Sequence, residues 1–285
     1  MSGVAVVTDS TSDLSAQDAA EAGITIVPLQ VIFGDEAYID GITLTADAFY
    51  EKLAAATVFP STSQPSVGEF AQTFERLLDT HEAVVAILLS GKLSGTVQAA
   101  RSAAEAFGDK VRVIDSRTTA YALGFLALEA ASAAAAGAGV DAIAARVEEV
   151  HRHIQPFFVV HSLEHLRRGG RIGNAAALIG SLLQVRPIIT IQDGIVDTWA
   201  KVRTEQRALQ TLLDRVSSDG VAAGSVQVAV IHTSAHAEAQ AFADAVRNRV
   251  STAVLRVRQI GPVIGTHLGA GSIGMVTFAY RNDAG

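Results

Sequence analysis

Short apolar runs rich in β-branched residues alternate along the chain with longer, Ala-rich stretches of helical periodicity. VAVV at 4–7, ITIVPL at 24–29, AVVAILL at 83–89 and VRVI at 111–114 have the length and composition of strands. Helical patterns accompany them, most clearly at 116–137 and 140–154, and this order predicts a parallel or mixed sheet with helices on both faces. VIFG at 31–34 and EAYID at 36–40, parted by Asp35, predict a hairpin appended to that layer. The AAAAGAGVD joint between the two helices reads as a helix stop rather than a linker.

The pattern changes after Pro156. Strand FFVV, a short basic helix ending LRRGG and a helix over 174–184 are followed by PIITIQ and IVDTWA, which flank an Asp193-Gly194 turn. An amphipathic helix over 204–216, strand VQVAVIH, a helix over 235–250, strand AVLRVRQI and strand SIGMVTFAY follow. The chain has 285 residues, against roughly 150 for one domain. The expectation is an α/β fold of two lobes, a larger one over 1–160 and a smaller one over 161–285.

Composition narrows the function classes. Hydrophobic residues make up 49% and charged residues 18%, with a mean hydropathy of +0.31, so the chain can bury a large core and is not of the disordered class. A net charge of −7 repels nucleic acid and anionic membrane, so any bound anion needs a local site. The lack of cysteine removes disulfides, thiolate nucleophiles and cysteine metal sites, and fits a reducing compartment, with the cytoplasm as default. The first residues reach Asp9 and Asp13 before any apolar stretch of signal-peptide length and read as a strand and turn. The longest run free of Asp, Glu, Lys and Arg, 259–280, is broken by Pro262 and five glycines, so no integral membrane segment is expected.

Several polar motifs punctuate this pattern. TDSTSDL at 8–14 directly follows the first strand, where α/β sheets present ligands; capping by Ser12 or Ser15 and loop scaffolding is the favoured reading. In PSTSQPS at 60–66 two prolines hold a hydroxyl-rich loop extended. Ser66 reads there as an N-cap, leaving Thr62 and Ser63 suited to an acid head group. SGKLSGTVQAA at 90–100 brings the hydroxyls of Ser94 and Thr96 to a helix N-terminus, an arrangement for anions, with capping by Ser94 as the alternative. It lacks the first glycine of a Walker A loop and the G-x-S-x-G order of a nucleophile elbow.

GPVIGTHLGAGSIG at 261–274 formally contains the dinucleotide fingerprint, but it precedes a strand instead of following one and opening a helix. It reads as a glycine-rich loop with no helix face, which lets the backbone approach a bound group and presents His267 as a titratable donor. In HSLEHLRRGGRIGN at 161–174, His161, Glu164 and His165 imitate an inverted zinc motif, yet His161 falls at a strand end and no metal is expected. Arg167, Arg168 and Arg171 form a tight basic group in an acidic chain, explained in part as helix C-capping. Lys201 and Arg203 alternate with Val202 on a strand and extend the positive face.

TDSTSDL, TSQPS, LSGT, Asp115-Ser116, LRRGGRIG, RPII and GPVIGTHLG, in this order and across nearly the whole chain, resemble the DegV family, fatty-acid-binding subunits of bacterial fatty acid kinase. The resemblance implies a larger α/β lobe followed by a smaller one, an enclosed acyl chain, and a carboxyl group near the junction. It implies that Thr62, Ser94 and His267 hydrogen-bond that carboxyl group, that Arg171 supports the network, and that Arg203 lies on the basic surface offered to the kinase. Ser63, Thr96 and Thr266 join the head-group set, and Arg167 and Arg168 the partner surface. The chain departs from the family pattern at His161, usually acidic, near His165, usually aromatic, and at Ala270, usually proline. These changes bear on loop shape and partner surface.

A carboxylate buried without donors is costly, so hydroxyls and an imidazole from three stretches would have to replace its water. Tyr121, Phe125, Phe158, Val160 and Ile264 are candidates for the tail wall. Without a Walker A loop or an acidic metal cluster, the expectation is a binding subunit with no cofactor, ATP and Mg²⁺ belonging to the partner. Two alternatives stay open: a serine hydrolase of lipid esters using Ser94 and His267, and a sensor of a non-lipid small molecule.

Overall fold

The computed structural model describes residues 3–179, 185–218 and 226–279. The chain begins with β1 (Val4–Asp9), α1 (Ala16–Ala22), β2 (Ile24–Val27), β3 (Gln30–Phe33), β4 (Glu36–Ile39), α2 (Ala46–Ala55), β5 (Ser61–Ser63) and α3 (Val67–Leu78). Next come β6 (Ala83–Leu88), α4 (Thr96–Ala104), β7 (Val111–Asp115), α5 (Tyr121–Ala135) and α6 (Val140–His151). The rest comprises β8 (Ile154–Val159), α7 (Glu164–Arg168), β9 (Arg186–Gln192), β10 (Ile195–Val202), α8 (Glu205–Ser218), β11 (Val226–His232), α9 (His236–Arg249), β12 (Thr252–Gln259), α10 (Pro262–Leu268) and β13 (Ile273–Ala279).

Four parallel strands in the order β2-β1-β6-β7 make the first sheet. Alternate side chains of its central strands point to opposite layers: Val6, Val85 and Ile87 pack with α5 and α6, whereas Val7, Val84 and Ala86 pack with Phe70 and Phe74 of α3 and with α4. Burial on both faces explains why these strands are apolar throughout. The helix predicted from 116 begins later, at Tyr121. Arg117 and Ala120 take left-handed backbone at φ 53° and 56°, and the Thr118 carbonyl accepts from the Ser90 N–H at 2.8 Å, so the segment turns against the end of β6 before the helix starts.

The second sheet runs β10-β9-β8-β13-β11-β12, antiparallel except for the β11–β12 pair. β8 hydrogen-bonds to β13 and β9 in this sheet. The strands therefore divide between α6 and β8, and the residues just before 160 keep company with the C-terminal half. Asp193 and Gly194, at φ 50° and 83°, make the tight turn that the sequence predicts between β9 and β10. Of the helix expected over 174–184, a 3-10 segment forms at Gly173–Leu178, and 180–184 lie outside the described residues.

A third sheet, β4-β3-β5, carries two departures from the sequence reading. The hydroxyl-rich loop is partly strand: 61–63 pair antiparallel with β3, Thr62 opposite Val31. Prolines 60 and 65 bracket an edge strand, the position a sheet tolerates them. The glycine-rich stretch is partly helix: α10 starts with Gly261 as N-cap and Pro262 in its first turn, and ends at Gly269 with φ 75°. Val263 of α10 joins Leu29, Val31, Phe33, Phe49 and Tyr50 in one cluster, while Ile264 and Leu268 belong to the large core shared by α5, β8 and β9. The short helix thus wedges a late segment of chain between the appended sheet and the main core.

Candidate functional site

A cavity of about 290 Å³ opens where these layers meet, close to the lower end of the roughly 300–1,000 Å³ usual for small-molecule sites. Its walls are apolar: Leu29, Leu89 and Leu93 from the first half, Phe158, Leu166, Ile189, Ile191 and Val196 from the second, and Val263, Ile264 and Leu268 around α10. Its polar lining consists of Thr62, Ser63, Gln64, Ser94, Thr119, Arg171 and His267.

Most of that polar set is joined by close approaches. Thr62 Oγ1 and His267 Nε2 lie 3.1 Å apart. The other face of the imidazole abuts Gly169, where an added Cβ would collide with Nδ1 and stand 2.7 Å from Cε1. The Gly169 carbonyl accepts from Arg171 Nη1 at 2.7 Å, and Arg171 Nε donates to the Leu93 carbonyl at 3.0 Å. Ser94 comes next in the chain, and the Gln64 amide packs over Gly95, which returns the path to the strand that holds Thr62. Four stretches therefore meet around one end of the cavity: 62–64, 93–95, 169–171 and His267. Gly169→Ala would force the imidazole off Thr62 and is expected to destabilise the protein by about 1–3 kcal/mol. Urea unfolding reads this out; an unchanged midpoint would mean that the ring has room to move.

Electrostatics divides the labour within this ring. Burial, then the positive charge of Arg171, then His165, push His267 down to about 4, so the imidazole is neutral near pH 7 and offers one N–H. The Arg171 guanidinium supplies the positive field. Among the described residues His267 Nδ1 is buried without a partner. Such an atom, removed from water, suits an incoming polar group.

The remaining predicted residues sort differently. Ser94 is not the cap of α4; Gly95 occupies that position, and Ser94 Oγ reaches Thr96 N only at 3.4 Å. Thr96 is buried outside the cavity lining, its Oγ1 2.9 Å from Ser94 Oγ, where it can orient that hydroxyl. Thr266 Oγ1 donates to the Pro262 carbonyl at 2.9 Å and so serves α10 itself. Tyr121, Phe125 and Val160 sit in the main core and do not line the cavity, whereas Phe158 and Ile264 do. Tyr121 and Phe125 pack edge to face at 5.0 Å, an ordinary helix-face pair that their spacing alone could not distinguish from a tunnel wall. Arg167 and Arg168 both bind Glu164 at the surface, and Arg203 is exposed. His161 pairs with Glu205 at 3.2 Å while His165 Nδ1 lies 3.2 Å from the Thr266 carbonyl. Among the described residues no group of His, Asp and Glu is placed to hold a metal ion, and no helix is long and apolar enough to cross a membrane.

Gln64 and Thr119 are polar lining residues that sequence reasoning missed. Gln64 stood inside the TSQPS motif and was recoverable from it; Thr119 lay in what reads as helix. TDSTSDL proves to be scaffolding. Asp9 accepts from Leu89 N at 2.7 Å, Ser10 Oγ accepts from Leu29 N at 3.0 Å, and Asp13 accepts from Gly261 N at 2.8 Å. Those three bonds fix two cavity-lining leucines and the start of α10.

The profile of the DegV family, described as uncharacterised, matches residues 3–280. A DegV domain-containing protein of Halalkalibacterium halodurans is 41% identical over 277 residues, 96% of this chain and 98% of the relative. Among solved structures, a DegV family protein from Thermus thermophilus, described by its fatty acid binding, superposes with a TM-score of 0.92 at 31% identity, covering 98% of this chain and 100% of the other. DegV of Bacillus subtilis, described as a fatty acid binding protein, superposes with a TM-score of 0.89 at 34% identity and the same coverage. This chain belongs to the DegV family.

Proposed function

We propose that the protein binds one long-chain fatty acid, with the carboxylate held by Thr62, Ser94, His267 and Arg171 and the tail buried against the apolar walls. The observation that carries this reading is a single cavity that is greasy along its length and ringed by hydroxyls, a neutral imidazole and a guanidinium. Each buried methylene contributes about 0.8 kcal/mol, so about fifteen of them supply on the order of 12 kcal/mol before ordering costs. The tail supplies affinity and the ring sets orientation. Two solved relatives described as fatty acid binding support the assignment.

In the fuller reading, this chain presents the carboxylate to a separate ATP-dependent kinase for acyl phosphate formation, in the cytoplasm, with Arg167, Arg168 and Arg203 on the docking surface and no cofactor of its own. A hydrolase would need Ser94 in reach of His267; instead Ser94 Oγ lies against Thr96 and His267 against Thr62, which favours a clamp. Native mass spectrometry of protein isolated from cells is expected to show one fatty acid per chain. Incubation with labelled ATP and oleate is expected to yield no acyl phosphate until a kinase is added. A non-lipid mass in the cavity, or stoichiometric fluorophosphonate labelling of Ser94, would overturn the reading.

A further inference from the structure

Among the described residues four side-chain hydroxyls line the cavity, and three have partners: Thr62 with His267, Ser94 with Thr96, and Ser63 with the Gln64 carbonyl. The fourth, Thr119, is 5% exposed, and its Oγ1 is buried with no hydrogen bond among the described residues. An unpaired hydroxyl removed from water is a standing cost, and one that lines a cavity can recover it from a bound ligand. The backbone beside Thr119 is fastened to the end of β6 and thence to the β9–β10 hairpin: Ser90 N donates to the Thr118 carbonyl at 2.8 Å, and Ser90 Oγ donates to the Gly194 carbonyl at 2.6 Å. The residues those elements contribute to the cavity, Leu89, Ile189, Ile191 and Val196, are all apolar.

We propose that Thr119 recognises an oxygen carried on the acyl chain itself, so that the ligands of this site include hydroxylated long-chain fatty acids; this rests on the fatty-acid reading above. A chain hydroxyl arriving at Thr119 finds a partner there and leaves the apolar wall undisturbed. The same hydroxyl elsewhere along the chain is buried against leucine and isoleucine with nothing to bond. The position of the oxygen on the chain is therefore selected.

Delipidated protein and its T119V variant are to be titrated with stearate and with hydroxystearates whose hydroxyl steps along the chain. In the unaltered protein one positional isomer binds at least as tightly as stearate. T119V lowers the hydroxystearate-to-stearate affinity ratio for that isomer about five- to tenfold, and T119S restores it. A ratio that T119V leaves unchanged, or rejection of every isomer relative to stearate, overturns the proposal while the fatty-acid reading stands; failure of stearate itself to bind overturns both. Thermal unfolding of ligand-free T119V controls for misfolding. Loss of an unpaired hydroxyl keeps or raises the midpoint, whereas a fall would show that the hydroxyl already serves the fold and would also overturn the proposal.

Discussion

Replacing His267 by leucine is expected to weaken oleate binding roughly 10- to 100-fold, the effect of removing one hydrogen bond to a buried charged group. The imidazole is the part of the ring that cannot be replaced locally. It bonds Thr62 on one side and abuts Gly169 on the other, so a water has little room to stand in for it. The carboxylate left behind keeps Arg171 but loses both the N–H and the fixed position of the Thr62 hydroxyl. Oleyl alcohol supplies the control, since it presents the same tail without the charge and should lose much less affinity. Isothermal titration of both ligands against the variant separates head from tail. Equal loss for alcohol and acid would mean that His267 acts only through packing, and an unchanged oleate affinity would remove it from the site.

The second large effect concerns pH. Asp9, Asp13 and Asp40 cluster beneath the start of α10, where a Cβ on Gly261 would stand 3.2 Å from Asp13 Oδ1 and 3.5 Å from Asp40 Oδ1. Burial pushes Asp9 up to about 6 and Asp40 up to about 7, and burial with the neighbouring carboxyls raises Asp13 well above its ordinary range. As pH rises from about 4 to about 7 the unfolded chain releases these protons while the folded protein still holds them, so stability falls with pH across that window. His267 works the other way. Its folded value of about 4 lies below the ordinary 6.5, so its contribution is present above 6.5 and is lost as pH falls toward 4. One histidine against three acids leaves the acids dominant, and the protein is expected to be less stable at pH 8 than at pH 5. Asp40→Asn removes an ionisation and gives its new amide a neighbour in Asp13, whose Oδ2 is buried without a partner among the described residues. The variant should gain on the order of 3 kcal/mol more at pH 8 than at pH 5. Urea unfolding at the two pH values checks this; parallel losses in both proteins would refute it.

The acid cluster also shows how a motif can be legible while its purpose is not. TDSTSDL announces a turn after β1 and a helix cap, and Ser15 does accept from Asp18 N at 3.0 Å. What its aspartates hold, Leu89 and Gly261, lies far along the chain. The glycine-rich stretch gave the opposite error. Pro262 and Gly269 are a helix start and stop in the correct order, but the number of glycines favoured a loop. Helix α10 is held by burial of all its residues except His267, a tertiary contribution that outweighs weak propensity. His267 therefore projects from a rigid element rather than a loop.

By itself the sequence determined the alternation of strands and helices, the hairpins at 31–40 and around Asp193-Gly194, and the short list of polar residues worth watching. Those features depend on neighbours a few positions apart, which a linear pattern contains. Only the tertiary structure decided which of those residues share a site. Thr62 and His267 are 205 positions apart, and they meet because β5 adds to the edge of β3 and α10 packs beside that sheet. The same packing sends Tyr121 and Phe125 into the core and leaves Thr119 lining the cavity, because a side chain's exposure is set by what the rest of the chain places over it.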